Sequence, residues 1–312
     1  MPHLTVLLPA RNAAATIATA VSSTLRALPA DAVLHVLDDG STDATAERAL
    51  AAGTRKGVVD PRLRVDSRPG AGGLAHALNG MLAETDSAVV ARMDADDITL
   101  PWRFATSLPA LRRGTDVVFT QIMRSTGRTL VPGAPLGIGP QAFPLHLLLT
   151  NPVSHPTMVG RREALERVGN YRAVPAEDYD LWLRLAAAGV GLRRLPLSAL
   201  IYRHHPQQIT ADPEWARRSW HDPLQAEAFA DLSEQLTGAR LPRLVTLAHL
   251  APEERESALQ TFRERLLTAI DNAPPTARPL LRHRLRERSA WVRGYRPANI
   301  HGQGHGQGAA QK

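Results

Sequence analysis

Three aspartates crowd into four residues, Asp94, Asp96 and Asp97 of RMDADDI, directly after the apolar run Ala88 to Ala91. A short apolar run reads as a buried strand, and a parallel-sheet strand delivers its C-terminal end to the ligand crevice of an α/β fold. Carboxylates this close repel one another unless a cation sits among them. Asp-x-Asp at a strand end is therefore a seat for a hard divalent metal of the kind that accompanies a phosphorylated substrate. A solvated acidic turn is the plainer reading of the motif taken alone. A second acidic strand end, Asp38-Asp39, and a further acidic pair, Glu177-Asp178, favour the first reading.

The flanking sequence alternates in a βα rhythm. Leu4 to Leu8, Ala32 to Leu37, Leu63 to Val65 and Ala88 to Met93 read as strands. Ala14 to Leu28, Ala44 to Ala52 and Leu74 to Ala83 read as helices, the second capped from Ser41 or Thr42. Pro101 is expected in the first turn of the next helix. This alternation predicts an α/β fold with a mostly parallel, doubly wound sheet flanked by helices. From Asp116 the pattern is mixed. Val117 to Met123 can pair with Thr129 to Val131 across a turn at Gly127, and Pro140 to Leu149 reads as helical. His155 to Val159 reads as extended, and Glu163 to Val168 as a brief helix stopped by Gly169. Tyr179 to Ala188 is amphipathic, with Leu181 and Leu185 one turn apart. Beyond about Pro206 the chain turns to Arg- and Glu-rich helix formers. The expected units are a catalytic domain over 1–205, a helical region over 206–300 and a disordered, low-complexity tail over 301–312.

Composition narrows the function classes. The chain has no cysteine, which excludes disulfides, a thiolate nucleophile and zinc–thiolate sites, and fits a reducing compartment. No apolar run reaches the roughly 18 residues of a membrane span, and the N-terminus does not read as a signal peptide. A cytoplasmic protein, peripheral at the inner face of the membrane at most, is expected. The net charge is +7 and nearly all cationic charge is arginine, the only lysines being Lys56 and Lys312. Aromatic residues make up only 4% of the chain, too few for a base-stacking platform, so no nucleic-acid partner is expected. Phosphorylated ligands or an anionic membrane suit the charge. Seven arginines lie between Arg278 and Arg296, interleaved with Leu280, Leu281, Leu285, Trp291 and Val292. That pattern reads as an interfacial helix on anionic lipid, or as a solvated helix packed on the catalytic domain or another subunit.

Four elements in order carry a family resemblance: PARN (Pro9 to Asn12), DDGSTD (Asp38 to Asp43), DADD (Asp94 to Asp97) and EDYDLWLRL (Glu177 to Leu185). Together they resemble a family 2 (GT-A fold) inverting glycosyltransferase of the bacterial non-processive type, over roughly residues 4 to 205. The resemblance implies transfer of one sugar from a nucleotide diphosphate, with a UDP-sugar favoured, to a hydroxyl acceptor that is a glycan or lipid-linked. Cell-surface or exopolysaccharide assembly is the implied setting, with Mn²⁺ or Mg²⁺ as cofactor. Asp39 is expected to accept the N3–H of a uracil base, near Pro9 and Asn12. Arg68 would reach phosphate and Asn79 would stabilise the site. Asp94 would contact ribose or the metal shell, and Asp96 would ligate the metal, with His204 as an added ligand. Direct displacement needs an acceptor hydroxyl that loses its proton. Asp178 matches the family's catalytic base, Glu177 being the weaker candidate. His155 and Trp182 would line the acceptor side, though Trp182 also reads as core. Asp38 and Asp43 also read as turn and capping residues, and Glu177-Asp178 as an acidic helix start favoured by the dipole.

Two departures stand out. The family's frequent Tyr in the first loop is Arg11, and the acidic residues that often follow are Ala13 and Ala14. The Q-x-x-R-W signature of processive synthases is absent. Gly70-x-Gly72-x-x-Ala75 matches a loose dinucleotide fingerprint, but such a fingerprint should follow the first strand, and that strand ends in PARN. A related nucleotidyltransferase lacks its phosphate loop here. A sugar-nucleotide-binding protein without catalysis is the remaining alternative.

Overall fold

A computed structural model describes residues 3–70, 72–111, 114–125, 129–203 and 212–295. The Gly127 turn, His204 and the tail over 301–312 lie outside these residues. The first half is a βα succession: β1 (Leu4–Ala10), α1 (Ile17–Ala27), β2 (Ala32–Asp39), α2 (Thr45–Ala52), a hairpin of β3 (Thr54–Arg55) and β4 (Val58–Val59), β5 (Leu63–Arg68), α3 (Leu74–Ala83) and β6 (Val89–Arg92). It continues through β7 (Ile98–Thr99), α4 (Arg103–Ser107), β8 (Val117–Ser125), β9 (Leu130–Pro132), α5 (Phe143–Leu147), β10 (Val159–Arg161), α6 (Arg162–Arg167), α7 (Glu177–Ala187) and β11 (Leu192–Arg203). Five helices follow: α8 (Pro213–His221), α9 (Pro223–Thr237), α10 (Leu244–Leu247), α11 (Pro252–Asp271) and α12 (Arg278–Gly294).

The main sheet has the order β5-β2-β1-β6-β10-β8-β11-β7, with β9 paired to β8. β5, β2, β1 and β6 are mutually parallel, as are β8 and β11. β10 runs antiparallel to both β6 and β8, and β7 antiparallel to β11. This mixed sheet with flanking helices agrees with the expected class. Buried strands read as continuous apolar runs because helices cover both faces, and β1 is buried along its whole length. The geometry has one decisive consequence. The loops after β1, β2, β5 and β6 emerge at one edge, and because β10 is reversed, the segment leading into it, with His155, reaches that same edge.

Several local readings shift. His155–Thr157 is a 3-10 turn rather than extended chain, since Pro156 sits in its first turn. Pro101 precedes α4 in a turn instead of opening it. The helix around Pro140 to Leu149 contracts to α5. Arg92 closes its strand two residues before the first aspartate.

One apolar core runs from Leu7 and Leu78 through Leu181, Leu183 and Leu185 of α7 into Phe229, Phe262, Leu281, Leu285 and Val292 of the C-terminal helices. The apolar face of α12 therefore turns inward. Arg282, Arg286 and Arg293 face outward, Arg282 bonding Asp271 and Arg293 bonding Glu256, whereas Arg278, Arg284 and Arg288 are half-buried. No described helix is long and apolar enough to cross a membrane.

Candidate active site

The loops at the strand edge are tied to one another before any ligand is considered. Asn12, with φ of 50°, donates its backbone N–H to Ser41 Oγ and accepts the Thr42 N–H at Oδ1. Asp43 accepts the Ala14 N–H and both the N–H and hydroxyl of Thr45, so it is a loop-building residue. Asp38 accepts the Ser41 N–H, closing the turn that leaves Gly40 at φ 76°. A Cβ on Gly40 would lie 2.7 Å from Gly70 N, so the DDG and RPG loops touch backbone to backbone there. Asp39 is buried at the end of β2, and Pro9 is buried within β1 in register with Leu37.

Asp94, Asp96 and Asp97 bring carboxylate oxygens within 4.8 Å of one another in the turn after β6. Three features shape this cluster. Arg92, 3% exposed, places Nη2 2.6 Å from Asp94 Oδ1. Arg103, fully buried on α4, donates Nη2 to the Arg92 carbonyl at 2.5 Å, bracing the strand end from behind. Asp97 is fully buried; its Oδ1 accepts the Arg203 N–H at 3.1 Å, and its Oδ2 finds no partner among the described residues. Burial first, then the charges of Asp94 and Asp96, hold the Asp97 carboxyl well above the ordinary range. An orphaned buried carboxylate oxygen beside two further hard oxygen donors fits a Mg²⁺- or Mn²⁺-sized ion.

The second acidic pair is brought to the same edge. α7 is entered from Ala176, a non-glycine residue in the left-handed region at φ 54°, ψ 52°. Gln225 of α9 donates to the Ala176 carbonyl, and Arg243 donates to Gln225 Oε1 while its guanidinium lies 5.3 Å over the Tyr179 ring. The C-terminal helices thus brace the start of α7. Farther along α7, buried Asp180 bonds Arg184, which donates to the carbonyls of Val168 and Asn170. That fixes the loop presenting Tyr171. Asn79 completes it, exchanging two hydrogen bonds with the Tyr171 backbone at 2.8 and 3.1 Å.

Within this frame Glu177 and Asp178 have different environments. His155 sits between them and the core: Nε2 is 2.9 Å from the Tyr171 hydroxyl and Nδ1 3.6 Å from Glu177 Oε1. Burial alone would push Glu177 up, but the contact with His155, a backbone hydrogen bond and the Arg92 charge together hold the carboxyl below its ordinary value. Asp178 goes the other way. Burial raises it and the Glu177 charge adds to this, against the opposing effects of His155 and of Asn151 Nδ2, 2.9 Å from Asp178 Oδ2. A carboxylate raised beside one held ionised is the arrangement expected of a general base next to a structural anion.

The acidic turn and the start of α7 lie near one another, since their carboxylates act on the same tyrosines. Burial raises Tyr202, and Asp94, Asp97, Asp96 and Asp178 all act on it in the same direction. Tyr171 likewise lies in the fields of Arg92, Glu177, Asp178 and Asp94.

Two expected site residues fall elsewhere. Arg68, on one face of β5 with Arg64 and Asp66, pairs with Glu84 at the C-terminal end of α3. Trp182 is fully buried, edge-on to Phe119 at 4.7 Å and to His155 at 5.8 Å, so it backs His155 and offers no face to an acceptor. Sequence reading missed Arg92, Asn151, Tyr171 and Tyr202. Arg92, a charge ending an otherwise apolar run, carried a local signal, and Asn151 and Tyr202 open the family-like segments NPVSHPTMVGRR and YRHH.

With this geometry in place, the comparisons fall into line. The chain belongs to glycosyl transferase family 2, whose model matches residues 5–169. It is 32% identical over 131 residues to the amylovoran biosynthesis glycosyltransferase AmsE of Erwinia amylovora, covering 40% of this chain and 48% of that protein. It is 30% identical over 144 residues to the O-antigen biosynthesis glycosyltransferase WbnJ of Escherichia coli, covering 43% and 54%. The chain thus spans about half the length of these relatives. Among solved structures it resembles S. aureus TarS 1-349 in complex with UDP-GlcNAc, at TM-score 0.58 and 17% identity over 94% of this chain and 89% of that one. It also resembles the mannosyltransferase PcManGT of Pyrobaculum calidifontis in complex with GDP-Man and Mn²⁺, at TM-score 0.55 and 18% identity over 93% and 85%. At these identities the structural likeness speaks for the fold.

Proposed function

We propose that this protein is a metal-dependent, inverting glycosyltransferase that moves a single sugar from a nucleotide diphosphate to a hydroxyl acceptor in extracellular or surface polysaccharide assembly. One observation supports the reading: Asp178, whose carboxyl burial raises, and the acidic turn of Asp94, Asp96 and Asp97 lie near enough to one another that all four act on Tyr202. Asp39 would take the N3–H of the base at the end of β2, with Asn12 holding the neighbouring loop rather than the ligand. Asp96 and Asp97, with the free oxygen of Asp94, would hold Mn²⁺ or Mg²⁺. When bound, that ion offsets the charge gathering on the departing nucleoside diphosphate. Asp178 would accept the proton of the attacking hydroxyl, while Glu177 stays ionised beside His155. A UDP-sugar is the favoured donor, in keeping with the UDP-GlcNAc held by TarS, and the acceptor is a glycan or a lipid-linked glycan. Any approach to an anionic membrane would use the outward arginines Arg282, Arg286 and Arg293 of α12, since Leu281, Leu285 and Val292 are buried.

A thermal-shift panel of nucleotide sugars with and without Mn²⁺ tests this. A ligand that binds only the folded state raises its apparent melting temperature. Stabilisation by one donor that depends on Mn²⁺ is expected; no response to any nucleotide diphosphate would contradict the proposal.

A further inference from the structure

Asn151 occupies an unusual position. Its Oδ1 accepts the backbone N–H of Val153 at 3.4 Å, and its Nδ2 donates to Asp178 Oδ2 at 2.9 Å. The first contact fixes the second: an amide whose oxygen faces an N–H must present its NH₂ to the other side. The loop carrying it is anchored from the sheet. Arg194 of β11 donates Nη1 to the Pro152 carbonyl at 2.6 Å and Nη2 to the Leu136 carbonyl at 3.1 Å. Asn151 therefore meets Asp178 from a rigid support on a different element, 27 residues away in sequence.

We propose that Asn151 is the positioning residue of the acceptor base: its NH₂ orients the Asp178 carboxylate towards the acceptor hydroxyl and favours the ionised form that can take the proton. This rests on Asp178 being the base. The groups acting on Asp178 are His155 from the turn before β10, Glu177 beside it on α7, the Tyr179 N–H and the Asn151 amide. Tyr171 and Tyr202 lie within its field. His155 and Asn151 oppose burial and Glu177, and Asn151 does so without a charge. Its removal tips that balance towards the protonated acid.

The test is a side-chain carboxyl ¹³C NMR titration of the full-length protein, with Asp178 assigned by the signal lost in Asp178→Asn. Turnover, with Mn²⁺, of the donor that the thermal-shift panel selects and UDP affinity by calorimetry are measured alongside. In Asn151→Ala the Asp178 midpoint is expected to rise by about one pH unit. In Asn151→Asp, which keeps the Val153 contact and serves if the alanine variant does not fold, a second carboxylate should raise it further. UDP affinity should stay within about twofold, while turnover falls roughly tenfold at neutral pH and recovers in part as pH rises. A midpoint unmoved in both variants, or UDP affinity falling in step with turnover, overturns the positioning role. An unmoved midpoint alongside an inactive Asp178→Asn overturns that role alone, whereas an active Asp178→Asn overturns the assignment of the base. The titration itself requires no substrate.

Discussion

Arg92 and Asp94 form an ion pair of 2.6 Å at the mouth of the acidic turn, with the arginine buried and the aspartate partly open to solvent. Such a pair is asymmetric to mutation. Asp94→Ala leaves a buried guanidinium without its anion, a loss on the order of 2–3 kcal/mol. Urea unfolding of Asp94→Ala at neutral pH checks this, and a change below about 0.5 kcal/mol would show that Arg92 is satisfied without it.

Asp97 sets a second expectation, with a definite sign. Its native carboxyl is raised, so its contribution to stability is fully present below the unfolded pKa and is lost as pH rises through the native one. Asp97→Asn, which keeps an oxygen for the Arg203 N–H, should therefore raise the melting temperature of the metal-free protein by a few degrees at pH 7 and by less at pH 5. The same variant should lose most of the stabilisation that Mn²⁺ gives the wild type. Differential scanning calorimetry at the two pH values reads both effects.

Gly40 is a place where backbone alone decides. Its φ of 76° and the 2.7 Å approach of Gly70 N leave no room for a side chain. Gly40→Ala is predicted to cost about 2 kcal/mol or more and to weaken UDP binding, because the loops beside Asp39 must part. Chemical denaturation paired with calorimetric UDP titration would detect it.

His155→Leu removes the partner that keeps Glu177 ionised. Burial, the largest influence on that carboxyl, is then opposed only by a backbone hydrogen bond and the Arg92 charge, and the carboxyl rises. Turnover should fall roughly ten- to a hundredfold with UDP affinity little changed, since the proposed nucleotide contact, Asp39, lies on a different strand end. Steady-state kinetics against pH, set beside UDP calorimetry, separates the two.

The sequence revealed those parts of the site whose logic is local. Asp94, Asp96 and Asp97 follow an apolar strand, and DDGSTD closes another, so both were readable from neighbours. That the early strands run parallel followed from the βα rhythm. The reversal of β10 did not, because three residues of strand between prolines and a helix leave little pattern, and that reversal is what delivers His155 to the crevice. Asn151 and Tyr171 gain meaning only from contacts 27 and 16 residues away. Arg68 misled for a related reason. Its closeness to a glycine-rich loop suggested phosphate, but the strand's two-residue alternation turned it towards Glu84. Trp182 sat on a helix whose apolar stripe already argued for burial, and the core took it.

The proposed chemistry requires that Asp178 act on the acceptor while donor binding stays with the other carboxylates. The direct measurement is Asp178→Asn assayed twice, by calorimetric titration with UDP and Mn²⁺ and by turnover of the donor that the thermal-shift panel selects. The prediction is UDP affinity within about twofold of wild type and turnover reduced about a thousandfold or more. Wild-type turnover in that variant would contradict the account.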